Sequence, residues 1–227
     1  MFEKLVKLSF YLRKIKYSII VKRKGWKRTV LDYYKWELDD SGSVYNKICS
    51  GIITEEEFNA HDSSIVWHLN PKNTDTCLNI GCGIGRAEKF LYNKVKEIHS
   101  VDISKAMIDA AKERNKDLKN VHFYVNDGQS LSMFDDNFFD IAFAELIFQH
   151  VPSEIVHAYV AEVYRILKPG GRFISQIPTK KKYRFMPKEL CAWMTREEVD
   201  ELFSSFSHMD YDSGCTNEWY HGPIVIK

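Results

Sequence analysis

The chain has 227 residues, 44% of them hydrophobic and 28% charged, and a formal net charge of +1. These figures are ordinary for a soluble globular protein and fit one α/β domain with an added segment. No apolar run nears the roughly 18–20 residues that span a bilayer, no secretory leader is read at the N-terminus, and five scattered cysteines lack any C-x-x-C pair, so a reducing cytoplasm is expected.

The first element is basic. Residues 1–28 hold ten Lys/Arg against Glu3 alone, a charge of +9 that leaves −8 for the remainder. Leu5, Leu8, Leu12, Ile15 and Ile19 fall three or four residues apart, on one helical face. Such a helix could dock on its own domain or on a second subunit, as in a homodimer. It could also lie as a peripheral contact on the anionic inner face of a membrane, or, least favoured, touch nucleic acid. Residues 1–53 are read as an N-terminal helical extension and 54–227 as the main domain. Within the extension, Tyr33, Tyr34 and Trp36 lie close together, and Gly42 and Gly51 mark loops.

Thr54 and Glu57 form a capping box. It predicts a helix with Phe58, Ile65 and Leu69 facing inward, ending before Pro71. From residue 76 the chain alternates. TCLNI reads as a strand, Arg86–Val95 as a helix and EIHSVD as a strand. Ser104 caps a helix from Lys105 to about Leu118. VHFYV and FDIAFA are strands, and a helix opens at Pro152-Ser153 and closes at Lys168-Pro169-Gly170-Gly171. RFISQI is the fifth strand. A Thr195/Glu198 capping box starts another helix, and short strands near His208–Tyr211 and Ile224–Ile226 finish the chain. Alternation of this kind implies a Rossmann-like α/β fold, with a mostly parallel sheet and helices on both faces.

Gly81, Gly83 and Gly85 follow the first strand as G-x-G-x-G, and Asp102 ends the second strand 21 residues after Gly81. Ligands of open parallel sheets bind at the carboxyl ends of the strands. A glycine turn there admits a ligand, and an acid on the next strand can accept both ribose hydroxyls. A dinucleotide fingerprint would need a small residue where Arg86 stands, so a nicotinamide oxidoreductase is disfavoured. A bare tight turn remains a bland alternative for the glycines alone.

The blocks LNIGCGIGR, VDISKAMIDAA, VNDGQSL, NFFDIAFAELIFQHV and ILKPGGRFISQIP follow one another in order. Together they resemble the class I S-adenosylmethionine-dependent methyltransferase family, of the small-molecule type, over about residues 54–227. The resemblance implies a seven-stranded sheet with its last strand antiparallel, and S-adenosyl-L-methionine as cofactor with S-adenosyl-L-homocysteine as product. It places Asn79, Gly81, Cys82 and Gly83 at the methionine end and Asp102 on the ribose. Ile103, Met107, Asp127 and Gly128 fall around the adenine, and Ala144 and Glu145 at the methyl-donor end. Asn79 departs from the pattern, which has Asp or Glu there, and predicts weaker cofactor binding.

His150, after the fourth strand, is the candidate general base for an oxygen acceptor; it could equally pack or cap. Gln149 and Gln176 could orient a polar acceptor or satisfy backbone groups. Tyr33 and Trp36 are further acceptor candidates. The basic insertion TKKKYRFMPKEL at 179–190 suits a phosphate-bearing acceptor, or is a solvated loop. The other seven histidines show no ligand spacing along the chain, and no metal is expected. The preferred function is O-methylation of a small molecule, a sugar or a glycolipid or natural-product precursor. N-methylation, or a protein or RNA acceptor, is the first alternative. An inactive cofactor-binding partner subunit is the second.

Overall fold

The computed structural model describes residues 15, 16, 18–29, 68–183, 189–211, 216, 217 and 220–227. Tyr33, Trp36, the Thr54/Glu57 box, Phe58, Ile65 and residues 184–188 of the basic insertion lie outside the described residues. Strands β1 (Thr76–Ile80), β2 (Glu97–Asp102), β3 (Val121–Val125), β4 (Phe139–Ala144), β5 (Leu167–Ser175), β7 (His208–Asp210) and β9 (Ile224–Ile226) form one sheet of order β3-β2-β1-β4-β5-β9-β7. The pairs from β3 to β5 are parallel, and β9 runs antiparallel to both β5 and β7. The seven-stranded sheet with an antiparallel last strand is therefore present. A second sheet pairs β6 (Ile177–Pro178) with β8 (Tyr220–His221).

All five residues of β1 are buried, as expected of a parallel strand covered on both faces. One face packs Val156, Val160 and Val163 of helix α3 (Ser153–Ile166) against Leu78, Ala142 and Phe173. The opposite face joins Leu91, Ile98, Phe143 and Ile174. The apolar stripe of α3, at spacings of three and four, is what directs this packing. Helix α5 (Arg196–Leu202) begins with the expected reciprocal box, in which Glu198 N–H donates to Thr195 Oγ1 and Thr195 N–H to Glu198 Oε2.

Three boundaries differ from the sequence expectations. The helix expected at Arg86–Val95 is α1, Glu88–Leu91 only. Bonds from Phe90 N–H to the Ala87 carbonyl and from Lys94 N–H to the Leu91 carbonyl tighten both ends into turns. Helix α2 (Lys105–Arg114) starts at the Ser104 cap but stops short of Leu118. The Asn115 amide donates to the Ala111 carbonyl and to the Gly85 carbonyl, closing the helix and tying it to the glycine turn. The fifth strand starts at Leu167, not Arg172, because Leu167 already pairs with Phe139 before an irregularity resets the register at Ile141 and Arg172. A short helix α4 (Lys180–Tyr183) follows β6. Among the described residues no helix is long and apolar enough to cross a membrane.

The basic arm reaches the domain. Residues 18–24 and 26–29 are helical. Thr29 is buried, and Lys27 Nζ donates to the Asn126 carbonyl at 3.0 Å. Ile15 and Ile19 are exposed.

Candidate functional site

A cavity of about 280 Å³ opens at the carboxyl ends of β1, β2 and β4. Asn79, Gly81, Cys82, Gly83, Asp102, Ile103, Met107, Gly128, Glu145, Gln149 and His150 all line it. Ala144 is fully buried on β4 and does not reach the lining. Asp127 is exposed outside the cavity, where its Oδ1 accepts from the N–H groups of Gln129 and Ser130. Gln176 is buried behind the wall and accepts from Leu146 N–H at 3.1 Å. Leu146 has φ +57, a conformation that side chains resist, and the Gln176 amide pins the loop in it.

The glycine turn leaves little room for anything larger. Gly81 has φ +75, and an added Cβ there would collide with the Ile147 side chain. At the other end Gly128 has φ +87 and lies against Trp26 and Ile103; a Cβ would meet Trp26 Cη2 at 2.5 Å. Trp26 lines the cavity. The arm thus supplies a wall at the end where the adenine is expected. Nothing in the arm's linear pattern marked Trp26 as a cavity residue; only its contact with Gly128 does.

Asp102 is held by the turn it serves. Gly83 N–H donates to Oδ2 at 3.0 Å, and Ser104 N–H to Oδ1 at 2.9 Å. Burial raises this carboxyl above its ordinary value, while the backbone donors oppose the rise. Each oxygen keeps a lone pair for a further donor.

Behind Asn79 lies a charge the sequence did not reveal. Glu88 is fully buried; its Oε1 accepts from Asn79 Nδ2 at 2.8 Å and from Ser100 Oγ at 2.5 Å. Asn79 and Ser100 are register partners on β1 and β2, which brings both donors to one carboxylate. Glu88 Oε2 has no hydrogen-bond partner, and burial raises the carboxyl's pKa. Since the Asn79 amide nitrogen faces Glu88, its oxygen is left as the acceptor for a ligand.

The wall after β4 is polar. The Tyr220 hydroxyl donates to Gln149 Oε1, and the Gln149 amide nitrogen lies 3.0 Å from His150 Nε2. An amide nitrogen only donates, so Nε2 accepts and the ring proton belongs on Nδ1. Burial lowers the His150 pKa to about 3, which keeps the imidazole neutral. Arg86 and Glu145, both lining residues, pair at 3.6 Å with little solvent exposure.

The lining fits S-adenosylmethionine by its donor set: a carboxylate for the ribose, a glycine turn whose backbone reaches the cavity, and an aromatic wall near the adenine end. Residues 78–175 match the family described as Methyltransferase domain. The demethylmenaquinone methyltransferase of Staphylococcus saprophyticus is 28% identical over 128 residues, 55% of this chain and 54% of that protein. Squalene methyltransferase 2 of Botryococcus braunii is 30% identical over 147 residues, 63% of this chain and 38% of that protein. The chain thus spans about half, or less, of the length of these curated relatives. Phosphoethanolamine N-methyltransferase 1 of Haemonchus contortus, solved with phosphoethanolamine and S-adenosylhomocysteine, superposes with a TM-score of 0.68. That match is 14% identical and covers 89% of this chain and 49% of the other, so it speaks to the fold. The sheet order, the cavity and the match over residues 78–175 agree: this part of the chain is a methyltransferase domain with the fold of the S-adenosylmethionine-dependent enzymes.

Proposed function

We propose that the protein transfers a methyl group from S-adenosylmethionine to an oxygen of a small polar acceptor, a sugar or a glycolipid precursor. The observation that carries this reading is the pair Gln149 and His150 on the cavity wall, beyond the glycine turn, with Tyr220 holding Gln149 from behind. Two polar side chains side by side on the wall suit an acceptor that carries hydroxyls.

Bound S-adenosylmethionine supplies a methyl carbon already activated by its sulfonium. The protein's own contribution is alignment, which can supply roughly 7–11 kcal/mol. Asp102 would accept from the ribose, Asn79 Oδ1 would face the ammonium, and Gly81 and Gly83 would bring the backbone of the turn close to the methionine end. His150 is the proposed proton acceptor, its Nε2 exchanging the Gln149 amide for the acceptor hydroxyl. A pKa of about 3 is sufficient there, because an oxygen that has gained a methyl group carries a far more acidic proton. Asp127 and Ala144 keep supporting roles beside the cavity, through the Asp127 turn and the β4 backbone. Glu145, balanced by Arg86, closes the rim. The extension, residues 1–53, adds Trp26 to the domain formed by 54–227. Its basic charge supports a peripheral contact with an anionic membrane, where lipid-linked acceptors reside.

A second reading, a lipophilic acceptor, is favoured by the names of the two relatives above. The deciding experiment incubates the protein with methyl-labelled donor and an extract of the source cells, then separates polar metabolites, lipids, protein and RNA. Label in polar or glycolipid material, lost with His150→Ala, is the expected result. Label in neutral lipid favours the second reading. No label, from protein that binds S-adenosylhomocysteine, overturns both and supports the inactive partner subunit.

Trp26→Ala is expected to weaken S-adenosylhomocysteine binding about tenfold, roughly 1.4 kcal/mol, by calorimetry. Unchanged affinity would make Trp26 a plug rather than a cofactor wall.

A further inference from the structure

Glu97, His99 and His122 gather at the opposite end of β2 and β3 from the cavity. His99 and His122 are register partners on adjacent parallel strands, and Glu97 stands two residues before His99 on β2. Side chains two apart share a face of a strand, so all three project together. Their ligand atoms lie within 4.8 Å of one another. Glu97 Oε2 is 3.6 Å from His99 Nε2 and 3.8 Å from His122 Nε2.

We propose that these three side chains form a divalent transition-metal site, fitted to zinc, that clamps edge strand β3 to β2. A tetrahedral zinc with bonds of about 2.0–2.2 Å holds its ligands roughly 3.3–3.5 Å apart. The two Glu97 separations, 3.6 and 3.8 Å, need to contract by only a few tenths of an ångström, and the imidazole nitrogens, within 4.8 Å of each other, close by rotation of the exposed His122 side chain. His99 is 8% exposed, and its buried Nε2 has no hydrogen-bond partner although it faces Glu97. A buried ring nitrogen without a close partner is costly unless something fills the place.

The outer contacts are those a metal site requires. His99 Nδ1 lies 3.1 Å from the Tyr124 hydroxyl, which can accept its N–H and leave the Nε2 lone pair for a metal. Glu97 Oε1 accepts from Thr76 Oγ1 at 3.5 Å and faces Lys96 Nζ at 3.4 Å, which directs Oε2 toward the imidazoles. Phe134, Phe138 and Phe139 meet the His99 ring edge-on and fix its plane. The His122 side chain is 42% exposed, so metal enters from the edge and water completes the fourth position. Asp102 is three residues further along β2, roughly 10 Å away, on the other face of the strand. The site is therefore independent of the methyl-transfer cavity. Spacing along the chain concealed it, because its ligands come from two strands.

The test uses the full chain, freed of affinity tag and treated with chelator, titrated with Co²⁺ and then Zn²⁺. We expect one Co²⁺ per chain, d–d absorption without a thiolate charge-transfer band, and displacement by Zn²⁺. His122→Ala, at an exposed position, and Glu97→Gln should each weaken binding at least about tenfold, the smallest loss that removing even an outer partner brings. Thermal unfolding of the metal-free variants should match the metal-free parent. Absence of saturable binding, a thiolate band, or binding unchanged in both variants overturns the proposal.

Discussion

Asp102→Ala is expected to weaken S-adenosylhomocysteine binding at least tenfold, about 1.4 kcal/mol. The carboxylate sits at the carboxyl end of β2 and lines the cavity. It is oriented by two backbone donors, Gly83 N–H and Ser104 N–H, one on each oxygen. Ribose hydroxyls would add charge-assisted bonds of about 1.5–3 kcal/mol each before other losses, so tenfold is a lower bound. The alanine also removes the acceptor that holds Gly83 in place, which loosens the turn facing the ligand. Asp102→Asn separates the two effects. Its amide keeps one good acceptor but turns a nitrogen toward a backbone N–H, and its affinity should fall between parent and alanine. Calorimetry with S-adenosylhomocysteine, alongside unfolding curves, reads the result. Parent-like affinity in a folded Asp102→Ala protein would remove Asp102 from the site.

The elements that position this cavity follow from local pattern. Each of β1 to β4 is a short stretch rich in β-branched or aromatic residues, or alternating as in β2, and their bounds match the expected stretches. Ser104 and Thr195 cap helices because their side chains meet orphan N–H groups within a few residues. What the pattern could not reveal depends on contacts between distant segments. Tyr220 meets Gln149 across 71 residues, and β6 and β8, two residues each, are too short to carry a periodicity. Trp26 reaches Gly128 from an arm whose charge and stripe suit several partners, its own domain first among them. Gln176 was a candidate to orient the acceptor, yet its oxygen goes to the Leu146 backbone. That bond stabilises a left-handed residue at the cavity rim, a need invisible in composition. Glu88 was hidden differently: an acid in the first turn of a helix ordinarily signals solvent and the helix dipole, and here it is buried.

Glu88→Ala should destabilise the fold by about 2–3 kcal/mol at low pH, because the Asn79 amide and the Ser100 hydroxyl lose their buried acceptor. The pH dependence follows from the raised carboxyl pKa. Below the ordinary value of 4.5, folded and unfolded chains both hold the proton, and the parent has its full advantage. As pH rises, the unfolded chain releases its proton first, so parental stability falls until the folded carboxyl ionises as well. The destabilisation by alanine should therefore be largest below pH 4.5 and shrink on the way up. Glu88→Gln keeps an acceptor without a charge, and its stability relative to the parent should improve across the same window. Denaturant unfolding at several pH values measures both; a constant difference from acid to alkaline pH would show that this carboxyl titrates normally. Cofactor affinity supplies the functional half of the test. With Glu88 absent, Asn79 is free to rotate and can turn its amide nitrogen toward the cavity. A donor facing an ammonium repels it, so Glu88→Ala should bind S-adenosylhomocysteine more weakly while Glu88→Gln stays close to the parent. The buried acid thus takes over part of what an acid at position 79 would do: it fixes which end of the asparagine amide meets the ligand, from nine residues further along the chain.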